Sequence, residues 1–223
     1  MFFTLARNNR HFTIAMLVYI LLGAVVVWQI PKGVLELKLN TLHQTFFDYL
    51  FLGFTYLGDG AALILILVVV LYKNIYKGIV GGTAFIVCTI ITHGCKNFVF
   101  PEYDRPVRFF HDLKDLYYIQ GLEIHSYHSF PSGHTSAAFC IFSFLAIVGT
   151  NKNWGAALWF MGFLVSVSRI YLMQHFFIDT YFGAIVGVAS TVMVYILFEK
   201  YTTWNDKWGR PLFSKGAEGK QLL

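Results

Sequence analysis

The amino-acid sequence predicts an all-α integral membrane protein, a six-transmembrane-helix bundle. Of its 223 residues, 57% are hydrophobic and only 13% are charged, whereas soluble domains carry about 25% charged residues. Six long apolar runs, separated by polar segments, approach or reach the length that crosses a bilayer. The net charge of +5 does not indicate nucleic-acid binding, because the cations lie mainly at the ends of the apolar runs and form no basic patch.

The predicted helices follow one another without an internal repeat. The first, residues 12–30, carries no charge and does not end in the small residues of a signal-peptide cleavage site. An amphipathic stretch comes next and is predicted to lie in the membrane interface. Asp59 is expected to cap the second helix. The stretch covers residues 31–57, and the remaining helices are predicted at 58–73, 78–97, 134–149, 154–170 and 178–198.

The chain is predicted to be one domain, residues 1–223. Residues 200–223 are expected to form a polar cytoplasmic tail that is partly disordered. Residues 98–130 are the longest polar connection, and long loops inside compact proteins are usually functional. The three cysteines are widely spaced within or beside apolar runs, which indicates neither a disulfide framework nor a metal site.

The distribution of cations predicts the orientation. With the N-terminus inside, ten of the 17 Lys and Arg residues lie inside and seven lie outside. Three of the outer seven, Lys96, Arg105 and Arg169, are candidates for a binding site. The positive-inside rule then places both termini in the cytoplasm.

A polar turn, residues 130–135, directly precedes the fourth helix. Pro131 and Gly133 indicate a loop, and Ser132 or Thr135 is expected to cap the helix. A helix N-terminus binds anions through its free backbone N–H groups and its dipole. His134, which exchanges a proton near neutral pH, lies at this end. The turn alone is equally consistent with an ordinary helix cap.

The six-helix topology brings polar residues from three separate stretches to one membrane face. Charges at membrane depth are costly and usually mark a function. Three cations without nearby acidic partners suit a phosphate dianion. The spacing of His175 and Asp179, i and i+4, would let the carboxylate hold one ring nitrogen and leave the other as a nucleophile, although a helix cap is the alternative for this pair. The converging residues are Lys96, Arg105, Ser132, Gly133, His134, Arg169, His175 and Asp179.

The same residues resemble a known set of motifs. Ser168-Arg169, His175 after five residues, and Asp179 after three more resemble the third motif of the type 2 phosphatidic acid phosphatase family, the membrane lipid phosphatase branch of the phosphatase/haloperoxidase superfamily. Residues 131–134, Pro-Ser-Gly-His, are similar to the second motif of this family. Together these two motifs are highly specific, and the resemblance covers nearly the whole chain.

The first motif of the family is matched less closely. Lys96 is followed by Arg105-Pro106, with eight residues between Lys96 and Arg105 where the family commonly has six. Either Lys96 or Arg108 therefore completes the phosphate site.

The resemblance implies a metal-independent phosphohydrolase that uses no cofactor. His175 would attack phosphorus, Asp179 would orient it, and His134 would protonate the leaving oxygen and then activate water. The implied phosphate-binding residues are Lys96, Arg105, Ser132, Gly133 and Arg169. His125 and His128 could also be interpreted as part of a metal cluster, but no carboxylate or cysteine lies at ligand spacing on a common element.

The expected function is hydrolysis of a lipid phosphate or diphosphate at the outer leaflet, in a bacterium the periplasmic face of the inner membrane. Undecaprenyl diphosphate, phosphatidylglycerol phosphate, phosphatidic acid and a lipid A phosphate remain candidate substrates. A phosphotransferase that passes the phosphoryl group to a lipid acceptor is a close alternative. A transporter is a remote one, because it predicts charges through the depth of the bundle.

Overall fold

The computed structural model describes residues 2–213. Within this range the regular secondary structure is entirely helical, without a strand. A π-helical turn, Cys95–Val99, continues the sixth helix, and a 3₁₀ turn, Lys152–Trp154, leads into the ninth. The helices are α1 Phe2–Asn8, α2 Arg10–Gln29, α3 Val34–Asn40, α4 Thr45–Leu57, α5 Gly60–Lys73, α6 Ile75–Gly94, α7 Pro106–Phe109, α8 Gly133–Val148, α9 Gly155–Tyr171, α10 Phe177–Tyr201 and α11 Trp204–Trp208.

The short apolar helix α8 forms the centre of the bundle and packs against α6, α9 and α10. Its side chains Phe139, Ile141 and Phe144 are fully buried. The backbones of α8 and α10 approach closely, because a Cβ atom at Gly187 would overlap the carbonyl oxygen of Ser136. This close packing places the N-terminus of α8 beside the N-terminus of α10.

All six predicted helices are present, but their lengths differ from the prediction. Four helices are long and apolar enough to cross a membrane, namely Arg10–Gln29, Ile75–Val99, Lys152–Tyr171 and Phe177–Tyr201. The pair α4 and α5 qualifies as a fifth span only when both are counted together, with a bend of 51° between them. Helix α8, which has 16 residues, is the sixth apolar helix.

The break between α4 and α5 has a local cause. Asp59 accepts a hydrogen bond from the backbone N–H of Ala61 at 3.0 Å, so the predicted cap is confirmed. The residue before it, Gly58, lies against Val165 of α9 and against His134, where a Cβ atom would overlap Val165. The bend therefore brings the start of α5 next to the start of α8.

The predicted interfacial stretch, residues 31–57, is divided into two helices, α3 and α4, with α4 packed against α9. Gly33, with a φ of +100°, turns the chain into α3. Part of the predicted tail is ordered as α11, and residues 214–223 of that tail lie outside the described residues.

Candidate active site

One cavity of about 640 Å³ lies where the ends of α5, α6, α8 and α9 meet the turn before α10. Six of the eight predicted site residues line it, and the other two, Ser132 and Asp179, are fully buried close behind it. The six lining residues are Lys96, Arg105, Gly133, His134, Arg169 and His175.

The imidazole of His175 is held through its Nδ1 atom. Nδ1 lies 3.3 Å from Ser129 Oγ and 3.4 Å from Asp179 Oδ2. Ser129 donates its own hydrogen to Asp179 Oδ2 at 2.5 Å, so its oxygen can only accept from His175. The hydrogen therefore belongs on Nδ1, and Nε2 is the ring nitrogen that is free to act in the cavity.

His175 is not part of a helix, so the helical-spacing argument for its contact with Asp179 was wrong. Helix α10 begins only at Phe177. The contact forms because Asp179 Oδ2 also accepts from the backbone N–H of Phe176 at 2.9 Å, which turns the preceding residues back toward the carboxylate. On the other side, the buried Glu36 of α3 accepts from Phe177 N at 2.7 Å and fixes the start of α10.

Burial lowers the pKa of His175 well below its ordinary value, and the positive charges of Arg105, Lys96 and Arg169 lower it further. The side chain is 1% exposed, so water stabilises the imidazolium poorly. Both effects favour the neutral form of the His175 imidazole over the imidazolium.

Arg105 enters the cavity from the residue that precedes α7. Its backbone N–H donates to Ser126 O and its Nε donates to Tyr127 O, both at 2.9 Å. Its Nη1 donates to the amide oxygen of Gln174 at 3.2 Å. Burial lowers the pKa of Arg105 from its ordinary value, but an arginine remains charged at neutral pH.

Arg169, at the end of α9, is 5% exposed. Its Nη1 donates to Thr55 Oγ1 of α4 at 2.6 Å and its Nη2 donates to Gln174 Oε1 at 3.4 Å. Its Nε is buried and has no hydrogen-bond partner among residues 2–213. A buried donor without a partner is costly, so this N–H is suited to a phosphoryl oxygen.

Lys96 lines the cavity and Arg108 does not. The π-helical turn Cys95–Val99 carries Lys96 and takes up part of the longer first motif. Arg108 instead pairs with Asp104 at 3.1 Å and lies over the ring of Tyr127 at 4.0 Å. The geometry therefore favours Lys96 over Arg108 as the third phosphate-binding cation.

The N-terminus of α8 has features that suit the binding of an anion. Ser132 caps the helix with its Oγ atom, 3.5 Å from the N–H of Thr135. Its own N–H donates to Asp179 O at 2.9 Å, which joins α8 to α10. Next to it, Gly133 has open space on the side where a Cβ atom would lie. Gly133 and His134, the first two residues of the helix, line the cavity, and a helix N-terminus binds anions through its backbone N–H groups.

Three further histidines lie near the site, two in the loop before α8 and one on α6. His125 lies at the outer edge of the cavity, 3.7 Å from Glu123, and His93 lines the cavity from α6. His128 contacts the backbone of Lys96. Within residues 2–213, no three His, Cys, Asp or Glu side chains are grouped to hold a metal ion.

Sequence reasoning missed three residues that hold the predicted ones in place. They contact His175 or the two arginines. Ser129 and Gln174 directly adjoin predicted motifs, and this position could have identified them, whereas nothing in the sequence links Thr55 to Arg169, 114 positions away. The three residues are Thr55, Ser129 and Gln174.

The chain is similar to known proteins both in sequence and in structure. Residues 78–203 match the sequence model of the PAP2 superfamily. The crystal structure of LpxE from Aquifex aeolicus is similar with a TM-score of 0.63 and 28% identity, over 73% of this chain and 93% of that chain. A PAP2-type phosphatidylglycerolphosphate phosphatase from Bacillus subtilis is similar in fold, with a TM-score of 0.63 and 21% identity, over 86% of this chain and 98% of that one. No curated protein sequence shows a significant match.

Proposed function

This chain belongs to the PAP2 superfamily and is a membrane phosphatase, and we propose that it hydrolyses a lipid phosphate or diphosphate through a phosphohistidine on His175. The observation that carries the proposal is one cavity that combines three cations with the imidazoles of His134 and His175, the second of which is held at Nδ1 by a buried hydroxyl and carboxylate. Phosphoryl transfer depends on positioning and on stabilising charge. Fixed cations and a held imidazole supply both.

In the first half of the reaction, Nε2 of His175 forms a bond to phosphorus while the bond to the leaving oxygen breaks. His134 gives its proton to that oxygen, so the lipid alcohol leaves as a neutral molecule. In the second half, His134 takes a proton from water, whose oxygen attacks phosphorus. The phosphorus–nitrogen bond breaks and Nε2 regains its lone pair. Asp179 stabilises the positive charge that the phosphorylated ring carries.

The shape of the cavity supports a lipid substrate. It extends from the catalytic residues along α6, where Phe85 and Thr89 line it, and reaches the start of α5 at Gly60. An acyl or prenyl chain would lie along this side of the cavity. The four lipids named above, the diphosphate included, all carry such a chain.

We further propose that the site faces the outer leaflet, in a bacterium the periplasmic side of the inner membrane. The excess of Lys and Arg on the opposite side supports this orientation. In this arrangement both termini, with the short helix Trp204–Trp208, lie in the cytoplasm.

The test is phosphate release by the purified protein in detergent. The assay offers each of the four lipids and an aryl phosphate, with a lipid alcohol added in parallel to detect phosphoryl transfer, and with His175→Ala as the inactive control. We expect phosphate release that vanadate inhibits and chelators leave intact, because vanadate adopts the geometry of the transition state. A phosphorylated acceptor lipid without free phosphate would establish the phosphotransferase, and loss of activity with a chelator that one added metal restores would contradict the mechanism.

A further inference from the structure

Gln174 forms a bridge between the two arginines of the cavity. Its side-chain oxygen Oε1 lies 3.2 Å from Arg105 Nη1 and 3.4 Å from Arg169 Nη2. Gln174 is 1% exposed and lines the cavity directly before His175. One neutral oxygen thus accepts hydrogen bonds from two buried guanidinium groups.

The other end of the amide is fixed as well. Its Nε2 donates to the backbone oxygen of Glu123 at 3.1 Å. Glu123 belongs to the loop between α7 and α8, residues 110–132, which we call the loop over the cavity because part of it lines the cavity. This partner assigns the amide orientation, because a flipped amide would place an NH₂ group against two guanidinium donors. The backbone oxygen of Gln174 also accepts from Arg105 Nη1 at 3.4 Å. The residue therefore joins α9, the loop over the cavity and the residue that precedes α7.

Two buried positive charges repel each other, so a group that attracts both stabilises their close approach. A carboxylate would do so most strongly. Within residues 2–213, however, neither Arg105 nor Arg169 forms an ion pair with an acidic side chain. A carboxylate at this place would cancel one positive charge and compete with the phosphate dianion. An amide oxygen attracts both guanidinium groups and leaves their charge intact.

We propose that Gln174 is a positioning residue that sets the spacing of the Arg105 and Arg169 guanidinium groups and keeps their charge available for the phosphoryl group. This inference rests on the proposed function, which makes the two arginines phosphate ligands. The residue touches the arginines and acts on the substrate through them.

Two substitutions separate this role from simple packing. Gln174→Glu places a carboxylate between the arginines, so it should keep or raise the melting temperature while it weakens anion binding. Gln174→Leu removes the hydrogen-bond acceptor and should lower both the melting temperature and the affinity for anions. For each variant we would measure the melting temperature, the KM and kcat for an aryl phosphate, and the affinity for vanadate. Gln120→Glu is the control, because it adds the same charge at an exposed position of the loop between α7 and α8.

We expect Gln174→Glu to bind vanadate about ten- to hundred-fold more weakly than the wild type, as the loss of hydrogen bonds to a charged group implies. Its KM should rise by a similar factor, with kcat reduced less. A stable Gln174→Glu variant with unchanged vanadate affinity would overturn the proposal, and so would an equal effect in Gln120→Glu.

Vanadate binding can be followed through the melting temperature, because a ligand that binds only the folded state raises it. This measurement does not require turnover. If the wild type binds vanadate but hydrolyses none of the offered phosphates, the proposed function fails while a weakened Gln174→Glu still supports the positioning role. If the wild type hydrolyses them and Gln174→Glu binds vanadate normally, only the positioning role fails.

Discussion

Lys96 and His128 hold each other by two hydrogen bonds in opposite directions. Lys96 Nζ donates to the backbone oxygen of His128 at 3.0 Å, and His128 Nδ1 lies 3.1 Å from the backbone oxygen of Lys96. His128 has a φ of 57°, a left-handed conformation that few non-glycine residues adopt. The pair ties the π-helical turn to the loop that leads to α8. The ammonium group of Lys96 is thereby fixed at the edge of the cavity.

The first prediction compares Lys96 with Arg108. Lys96→Met should lower kcat/KM for an aryl phosphate by roughly 10²- to 10³-fold, which is typical for the loss of one group that stabilises the transition state. Arg108→Gln removes a half-exposed ion pair and a contact with the ring of Tyr127, both outside the cavity lining, and should change kcat/KM by less than about fivefold. The measurement is steady-state kinetics of both purified variants. A larger loss in Arg108→Gln than in Lys96→Met would reverse the assignment.

The sequence predicted the helices well because each is a long apolar run bounded by polar or turn residues. The cap at Asp59 follows from the same local rules, since its acceptor lies two residues before the N–H that it binds. The 51° bend between α4 and α5 was not predictable, because it depends on how Gly58 packs against α9 and α8. Local chemistry marks the end of a helix, whereas tertiary contacts set its direction.

In the candidate site, too, some features follow from the local sequence and others depend on tertiary contacts. Motif spacing was sufficient to bring Lys96, Arg105 and His175 to one cavity, because the topology places their helix ends on one side. The bond from Arg169 to Thr55 could not be foreseen, since it arises only when α4 packs against α9. Position along the chain predicted the groups that line the cavity, and packing decides which groups hold them.

The second prediction concerns Ser129. Ser129→Ala removes the hydroxyl that donates to Asp179 and lies beside His175 Nδ1. The carboxylate would be less well stabilised and the imidazole less well oriented, so kcat should fall about tenfold, within the range for a hydrogen bond to a charged group. KM should stay unchanged, because Ser129 does not line the cavity. Ser126→Ala, on an exposed position of the same loop, is the control. An unaltered kcat in Ser129→Ala would exclude this role.

The third prediction is a shift in the pH profile. Burial, and after it the charge of Arg105, lowers the pKa of His175, so the neutral nucleophile persists to acidic pH in the free enzyme. Arg105→Gln removes that charge, the pKa should rise toward its ordinary value, and the acid limb of kcat/KM should move to higher pH. Comparing the two profiles with one aryl phosphate cancels the ionisation of the substrate. A limb that stays in place, or moves to lower pH, would count against His175 as the titrating group.

The fourth prediction tests the orientation. In a Cys95→Ser background, a cysteine introduced at Asp112 should react with an impermeant thiol reagent added to intact cells, and one introduced at Lys207 should not. Both positions are exposed to solvent, so accessibility differs only through the side of the membrane. Labelling of the second cysteine alone would invert the topology and move the site to the cytoplasmic face.

The last prediction separates the roles of His134 and His175. His175 has its Nδ1 engaged by Ser129 and Asp179, so Nε2 is the proposed nucleophile. His134 lines the cavity at the start of α8, and within residues 2–213 no carboxylate forms an ion pair with its ring. General acid–base catalysis contributes roughly 10²- to 10⁴-fold, and most when the leaving group is a poor one. An aryl phosphate has a good leaving group, so His134→Ala should still transfer its phosphoryl group to His175.

The same variant should lack the base that activates water, so the phosphoenzyme should accumulate in His134→Ala. We would incubate each variant with a radiolabelled aryl phosphate, denature it, and measure retained label that is stable to base and labile to acid, as phosphohistidine is. His175→Ala should retain none. Label on His175→Ala but not on His134→Ala would exchange the two roles. Absence of label from every variant, with normal turnover of the wild type, would favour direct attack by water, because a covalent intermediate must be trapped when its hydrolysis is slowed.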